Sequence, residues 1–461
     1  MDTPGFTAAS APTLLRGGVA ALALCFGVSA CNTTLAPPAS QIPSTELANA
    51  DQMSKSGTDC VWPCQGQSYA TLLDYVAATS PEVLSAQADR RASAAELEAA
   101  SRAFGPSAQL QGRNGAGDDG PEQGQLVFSV RQPVWQGGVL KAERARAEAE
   151  LTRQDATLSR TALDIKLAFN RAYADWRAAQ EVAVAWNTAL EQVERLLPRL
   201  KRSREAGALS QSDFRQVSLA ADQVLSEQLA AQGAVEQARA ELTSYLPDGV
   251  TENSIGQAKG GYGGVATGVA EPKLARDIIA SLAPVREADA NVRVAALSQE
   301  ILKLARAPVV DLVAEAAYEE GEAGASDTED AGVYLSVTSQ FGAPGETKAR
   351  LKGAEAAEEA ARARRAATLR ETRRRIAQSQ EVMRDAAARV GKLAAAIIRA
   401  SEALEAEQRS FEGLQSNGAQ LVSAIDRLAS LKQKRADARG AYWGARWTLQ
   451  LYQDAALPSR K

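Results

Sequence analysis

Histidine is absent from all 461 residues. That absence removes imidazole acid–base chemistry, Ser-His-Asp triads and most zinc sites. Aromatic residues are scarce at 5%, so alanine supplies much of the 45% hydrophobic content. Alanine combines high helix propensity with a small side chain, which predicts long helices with close axial spacing. A formal charge of -4 lacks the basic excess that a nucleic-acid partner demands. No Walker or dinucleotide motif is present, and no lysines or carboxylates cluster as a catalytic centre would. No enzymatic activity, cofactor or metal is expected. Beyond the N-terminal leader, no apolar run approaches the roughly 20 residues a membrane-spanning helix needs.

What is present begins with that leader. Arg16 precedes the apolar run 17–28, which is too short to span a bilayer comfortably and reads as a signal-peptide core. The run ends in Val28-Ser29-Ala30-Cys31, which resembles the bacterial lipobox, cut before a cysteine that becomes lipid-modified. An ordinary signal peptide followed by a chance cysteine is the alternative. Asn32 carries no acidic inner-membrane retention signal, so an outer-membrane destination is favoured. Residues 1–30 are expected to be a lipoprotein signal peptide and 31–68 a lipidated tether rich in Pro, Ser, Thr, Asn and Gly. Within it, Cys60 and Cys64 form a C-V-W-P-C pair that predicts a small disulfide in an exported protein, with a redox-active dithiol as the alternative.

The stretch from Gln125 to Leu158 organises the rest. An alternating strand runs through Pro133 and Gly137-Gly138 into a very long alanine-rich helix. In that strand Leu126, Phe128 and Val130 alternate with Val127, Ser129 and Arg131, as between lipid and water or on a soluble core. Some 65 residues from about Gly138 to Arg204 then keep a helical pattern, roughly 100 Å long at 1.5 Å per residue. Such a helix fits no compact domain and requires coiled-coil partners. A turn at 205–210 returns the chain through Gln211 to Tyr245.

A similar stretch starts at Val333, and matching landmarks recur throughout. Pro81 and Pro284, Pro106 and Pro308, Ser129 and Ser336, and Gly207 and Gly418 are separated by 203, 202, 207 and 211 residues. So small a drift indicates duplication. Residues 69–246 form the first repeat, 247–273 a Gly-rich linker, 274–453 the second repeat and 454–461 a tail. Each repeat reads helix, strand, strand, long helix, turn, helix. Four such strands cannot close a membrane barrel, because the smallest single-chain barrels use eight. Other copies of the chain must supply the missing strands.

The element order, the duplication, the strand-to-helix junction Ser129-Val130-Arg131-Gln132-Pro133-Val134-Trp135-Gln136-Gly137-Gly138 and the tip Gly207-Ala208-Leu209-Ser210 resemble the TolC-like outer-membrane factor family. The resemblance covers roughly Tyr69 to Tyr452. It implies a mainly α fold with membrane β: a homotrimer whose twelve-strand barrel, four strands per chain, continues into a long α-helical coiled-coil barrel. It further implies an outer-membrane exit duct, extending into the periplasm and working with a periplasmic adaptor and an inner-membrane pump. Cargo could be small molecules, or a polypeptide as in type I secretion. Outer-membrane lipid would be the other partner. By the same resemblance the periplasmic gate falls on Ser423 and Asp426, with Asp213 its repeat-related counterpart. Of the family's two gate acids at most one is kept. Helix capping is the alternative role for both Asp426 and Asp213. The tips Gly207, Ala208, Leu209, Gly418, Ala419 and Gln420 are the candidates for docking an adaptor. Acidic residues between Glu315 and Asp330 suggest an acidic outer mouth that prefers cations. The competing reading is a periplasmic coiled-coil lipoprotein acting as adaptor or scaffold.

Overall fold

The computed structural model of the protein describes residues 68–115, 123–207, 209–247, 250, 255, 262–263, 276–319, 328–339, 344–412 and 418–456. The leader, the lipidation candidate Cys31, the pair Cys60 and Cys64, the tip residue Ala208 and most of the linker lie outside the described residues.

The first repeat comprises α1 (Tyr69–Thr79), α2 (Pro81–Arg102), β1 (Ser107–Gly115), β2 (Gln123–Trp135), α3 (Val139–Glu205) and α4 (Gln211–Thr243). The second comprises α5 (Arg276–Ala280), α6 (Ala283–Leu304), β3 (Val309–Glu319), β4 (Thr328–Thr338), α7 (Pro344–Glu412) and α8 (Gly418–Ala456). Local chemistry sets the boundaries. The Ser68 hydroxyl caps α1 by accepting from the Thr71 amide at 3.2 Å. Pro81 and Pro284 occupy the first turns of α2 and α6, where a missing N–H costs nothing. Pro198 lies inside α3, which continues through it to Glu205. The long helix therefore tolerates one lost backbone bond just before its end, rather than breaking there.

The strands form one antiparallel sheet in the order β1-β2-β3-β4, leaving β1 and β4 as open edges. The helices are layered with the same logic. Around the middle and upper half α3 packs between α2 and α6, with α7 beyond α6; in the lower half α3 packs between α4 and α8, with α7 beyond α8. One flank of the protomer is thus β1, α2 and α4, and the other is β4 and α7.

Buried positions on the long helices follow a heptad rhythm. Ala142, Ala149, Ala156 and Leu163 recur every seven residues along the upper half of α3. Val182, Trp186, Ala189, Val193, Leu196 and Leu200 alternate four- and three-residue steps along its lower half. Val217, Ala221, Val224, Gln228 and Ala231 do the same on α4. A 3.5-residue repeat makes helices supercoil left-handedly to keep their seams in contact. Between the two halves, Phe169, Asn170, Ala172, Tyr173, Ala174 and Trp176 are buried nearly all round the helix. There α3 passes through the largest core, with Tyr69, Leu72, Val76, Tyr442 and Leu449 around it. No helix among the described residues is long and apolar enough to cross a membrane.

Candidate functional site

The sheet is the first functional surface. Register puts Leu110 beside Phe128, Phe128 beside Ala316, and Leu312 beside Leu335, so these residues share one face. That face is solvent-exposed: Val333 is 70% and Leu335 64% accessible, and Leu110, Leu126, Phe128 and Leu312 are exposed too. On the opposite face lie Gln109, Ser129, Arg131, Asp311, Glu315 and Tyr334. A β-bulge interrupts the β2–β3 pairing between Pro133 and Trp135. The extra residue reverses the alternation, so Trp135 pairs with Val310 and joins the apolar face. Tyr318 stands on that face eight residues further along β3, about 26 Å away at strand spacing. Aromatics at both ends of an apolar band about 25 Å tall are the signature of a membrane β-surface.

Just beyond the bulge the chain turns into α3 through Gly137 (φ 58°) and Gly138 (φ 88°). A Cβ on Gly137 would lie 2.0 Å from the Ala307 side chain, at the α6–β3 junction. Glycine is required there for both backbone conformation and close approach.

The second level lies halfway down the helices. The Asn170 side-chain amide donates to the Gly444 carbonyl at 2.9 Å and accepts from the Tyr69 hydroxyl at 3.2 Å, joining α1, α3 and α8. Below it Gly440 and Gly444 face Ala174 and Ala178, a small-residue seam that brings α3 and α8 close together. Arg439 ties α8 to Glu181 of α3 at 2.6 Å and also donates to the Gly263 carbonyl of the linker at 3.0 Å. Trp443 donates to the same carbonyl at 2.8 Å. Arg177 and Arg439 both stack on the Tyr262 ring, 5.5 and 5.2 Å from its centre. Burial, reinforced by the nearby Glu181 charge, pushes the Tyr262 phenol above its ordinary range.

The third level is the pair of hairpin tips. Gly207 adopts φ 75° at the end of α3 and is exposed. Leu209 is half-buried against the tip core. The Ser210 hydroxyl accepts from the Asp213 amide at 3.1 Å and donates to the Asp213 carboxylate at 2.7 Å, so Asp213 belongs to a helix-capping arrangement. Gly418 is buried, and a Cβ there would meet Leu200 at 2.6 Å; this contact packs the second tip against the first hairpin. Ala419 is half-buried, whereas Gln420 and Ser423 are exposed. Asp426 lies in the third turn of α8, beyond the reach of the helix N-terminus, so capping is not its role. It is half-buried, and burial raises its carboxyl above the ordinary range. Ser423 and Asp426 share a helix face at (i, i+3) spacing, whereas Asp213 is engaged on another helix.

Residues 72–247 match the family model described as outer membrane efflux protein. The match spans the first repeat and falls short of half the chain. Known structures extend the likeness over most of the chain. The outer membrane protein VceC of Vibrio cholerae superposes with a TM-score of 0.69 at 17% identity, covering 84% of this chain and 95% of its own. The outer membrane channel CmeC of Campylobacter jejuni gives 0.72 at 11% identity, covering 85% and 86%. The open state of the Neisseria gonorrhoeae MtrE outer membrane channel gives 0.68 at 15%, covering 84% and 88%. No curated protein matches the chain. The fold is thus that of TolC-like channels, a mainly α protomer with four antiparallel strands in two repeats. Outer membrane efflux proteins are passive channels rather than enzymes, and they extend from the outer membrane into the periplasm.

Sequence reasoning missed several residues of this fold. The bulge at Pro133–Trp135 was not singled out, although proline inside a strand is itself a bulge signal. The seam was also legible, as G-x-x-x-G at 440–444 and A-x-x-x-A at 174–178. The Arg439–Tyr262–Trp443 clasp had no local signal, because 176 and 180 residues separate Gly263 from its two donors.

Proposed function

We propose that three copies of this chain close into an outer-membrane exit duct of a tripartite export system. It passes small molecules or a polypeptide from periplasm to exterior without chemistry of its own. One observation carries this reading: a sheet with an exposed apolar face and two open edges continues into helices of 67 and 69 residues. An open sheet edge is not tolerated in a bilayer, so β1 of one copy must pair with β4 of the next. The same head-to-tail contact brings the α2/α4 flank of one copy against α7 of its neighbour. Repeated around an axis, it generates a closed ring.

In this duct Ser423 and Asp426 line the periplasmic constriction. The tips at Gly207–Leu209 and Gly418–Gln420 receive a helical adaptor, which links the duct to an inner-membrane pump. A lipid on Cys31 anchors the N-terminal tether in the outer membrane, and Cys60 and Cys64 bond locally. Single-channel recording of purified, detergent-extracted protein in planar bilayers tests the duct. Discrete conductance is expected, with divalent-cation block weakened by Asp426→Ala. Conductance with unchanged block would move the constriction away from Asp426. Membrane-extracted, folded protein that never conducts would overturn the duct.

A further inference from the structure

The groove between α6 and α7 has two unlike sides. On one, Asp289 pairs with Arg365 across the helices, and Leu369 and Ile376, on the Arg365 face of α7, join the core that includes α1 and α5. On the other lie Glu287 and Asn291, each two residues from Asp289 and so about 200° round α6 from it. With Arg160 of α3 and Arg364 and Thr368 of α7 they line an open cavity of about 470 Å³, a size suited to a small molecule. Pro284, Ala288 and Val294 make part of its wall apolar.

The donors in this cavity are under-used. Arg364 has no carboxylate partner among the described residues, whereas Arg362 and Arg365 beside it are both paired. The Arg160 Nε is enclosed; it lies 2.7 Å from Glu287 but lacks the alignment of a hydrogen bond. The Asn291 amide makes no hydrogen bond among the described residues, and the Thr368 hydroxyl donates to the Arg364 carbonyl at 3.0 Å. The surrounding charges are nearly balanced. Glu150 holds Arg153, Glu371 holds Arg374 and Arg375, and the charges of Arg160 and Arg375 both act on Asp164. Around the cavity five arginines thus face four carboxylates, and Arg364 is the one left over.

We propose that this cavity is a binding site for organic anions, in which Arg364 and Arg160 hold an oxyanion head such as a sulfonate, carboxylate or phosphate. The guanidinium fork matches such a head, the Asn291 amide adds a donor, and the apolar wall receives the body of the molecule. The proposal rests on the duct reading. The α1 and α5 layer thickens the wall on the side away from the cavity; placed outside the ring it does not narrow the passage, so the cavity opens to the lumen and meets cargo.

Single-channel recording of the full-length protein in planar bilayers, with a naphthalene sulfonate as probe, tests the site. Wild type is expected to show transient block that weakens as salt is raised. Arg364→Gln should raise the half-blocking concentration by about fivefold or more, and Arg364→Lys, which keeps the charge, should fall between. Arg362→Gln removes the same charge about 200° round α7 and should leave the block unchanged. Block by the matching naphthyl ammonium should not weaken in Arg364→Gln. A conducting wild type that the sulfonate does not block, an unchanged block in Arg364→Gln, or an equal loss in Arg362→Gln would overturn the site and leave the duct standing. Absence of conductance in wild type would overturn both.

Discussion

Asp426 has a raised carboxyl pKa because burial disfavours its charged form. The folded chain therefore keeps this proton to higher pH than the unfolded chain does. Its favourable contribution is present in acid, below the unfolded value, and is lost as pH rises through the raised folded value. Asp426→Asn should consequently raise the thermal midpoint at pH 7, with the advantage over wild type closing as pH falls towards about 4. A midpoint difference independent of pH would refute this account. Glu371 on α7 has the opposite sign. Hydrogen bonds from Arg374 and then Arg375 hold it down to about 2, so its contribution persists above the unfolded carboxylate range and disappears only in strong acid. With Arg365 held by Asp289 and Arg362 by Glu358, much of the arginine-rich stretch 362–375 of α7 is a paired, solvated helix face. Gly440 is constrained by packing instead. A Cβ there would meet the Ala178 side chain at 2.8 Å and the Ala174 carbonyl at 3.3 Å. Gly440→Val should cost about 1–3 kcal/mol by forcing α3 and α8 apart, read as a lowered thermal midpoint of the extracted protein.

Among elements, the bulge and the flanking helices carry the testable geometry. Trp135→Ser would remove the aromatic end of the apolar band, which the bulge places opposite Val310. The expected outcome is loss of detergent-extractable, membrane-integrated protein, measured by fractionation; unaltered integration would show that the aromatic end of the band is dispensable. The helical flanks offer a direct readout of ring closure. Leu225 on α4 is 41% accessible and Ile398 on α7 is 59% accessible. Each lies 14 residues, about 21 Å at 1.5 Å per residue, from the tip-side end of its helix. Leu225→Cys combined with Ile398→Cys should give covalent multimers under oxidising conditions, seen as a ladder ending at the trimer on a non-reducing gel. Monomers alone, from protein that still conducts, would rule out this pairing of flanks.

At the scale of the whole molecule, the protomer is a sector with matching open edges from the sheet down to the helical tips. An isolated sector leaves an apolar sheet face and two coiled-coil flanks in water, so dissociated protein is expected to aggregate unless detergent covers them. Light scattering after detergent removal checks this, and soluble monomer would contradict it. The element order, the duplication, the strand alternation and the helix lengths were determined by sequence alone. They depend on local propensity and periodicity, which neighbouring residues specify without outside help. The paired Asp candidates were only partly legible, because a carboxylate near a turn looks alike whether it caps a helix, as Asp213 does, or lies in the third turn, as Asp426 does. The clasp of Tyr262 and Gly263 by Arg177, Arg439 and Trp443, the packing of Gly418 under Leu200, and the placement of Arg131 between Asp311 and Glu315 were decided only by tertiary structure. Each depends on which distant segments become neighbours and in what register. A shift of one residue, as at the Pro133–Trp135 bulge, is enough to send a side chain to the other face of the sheet.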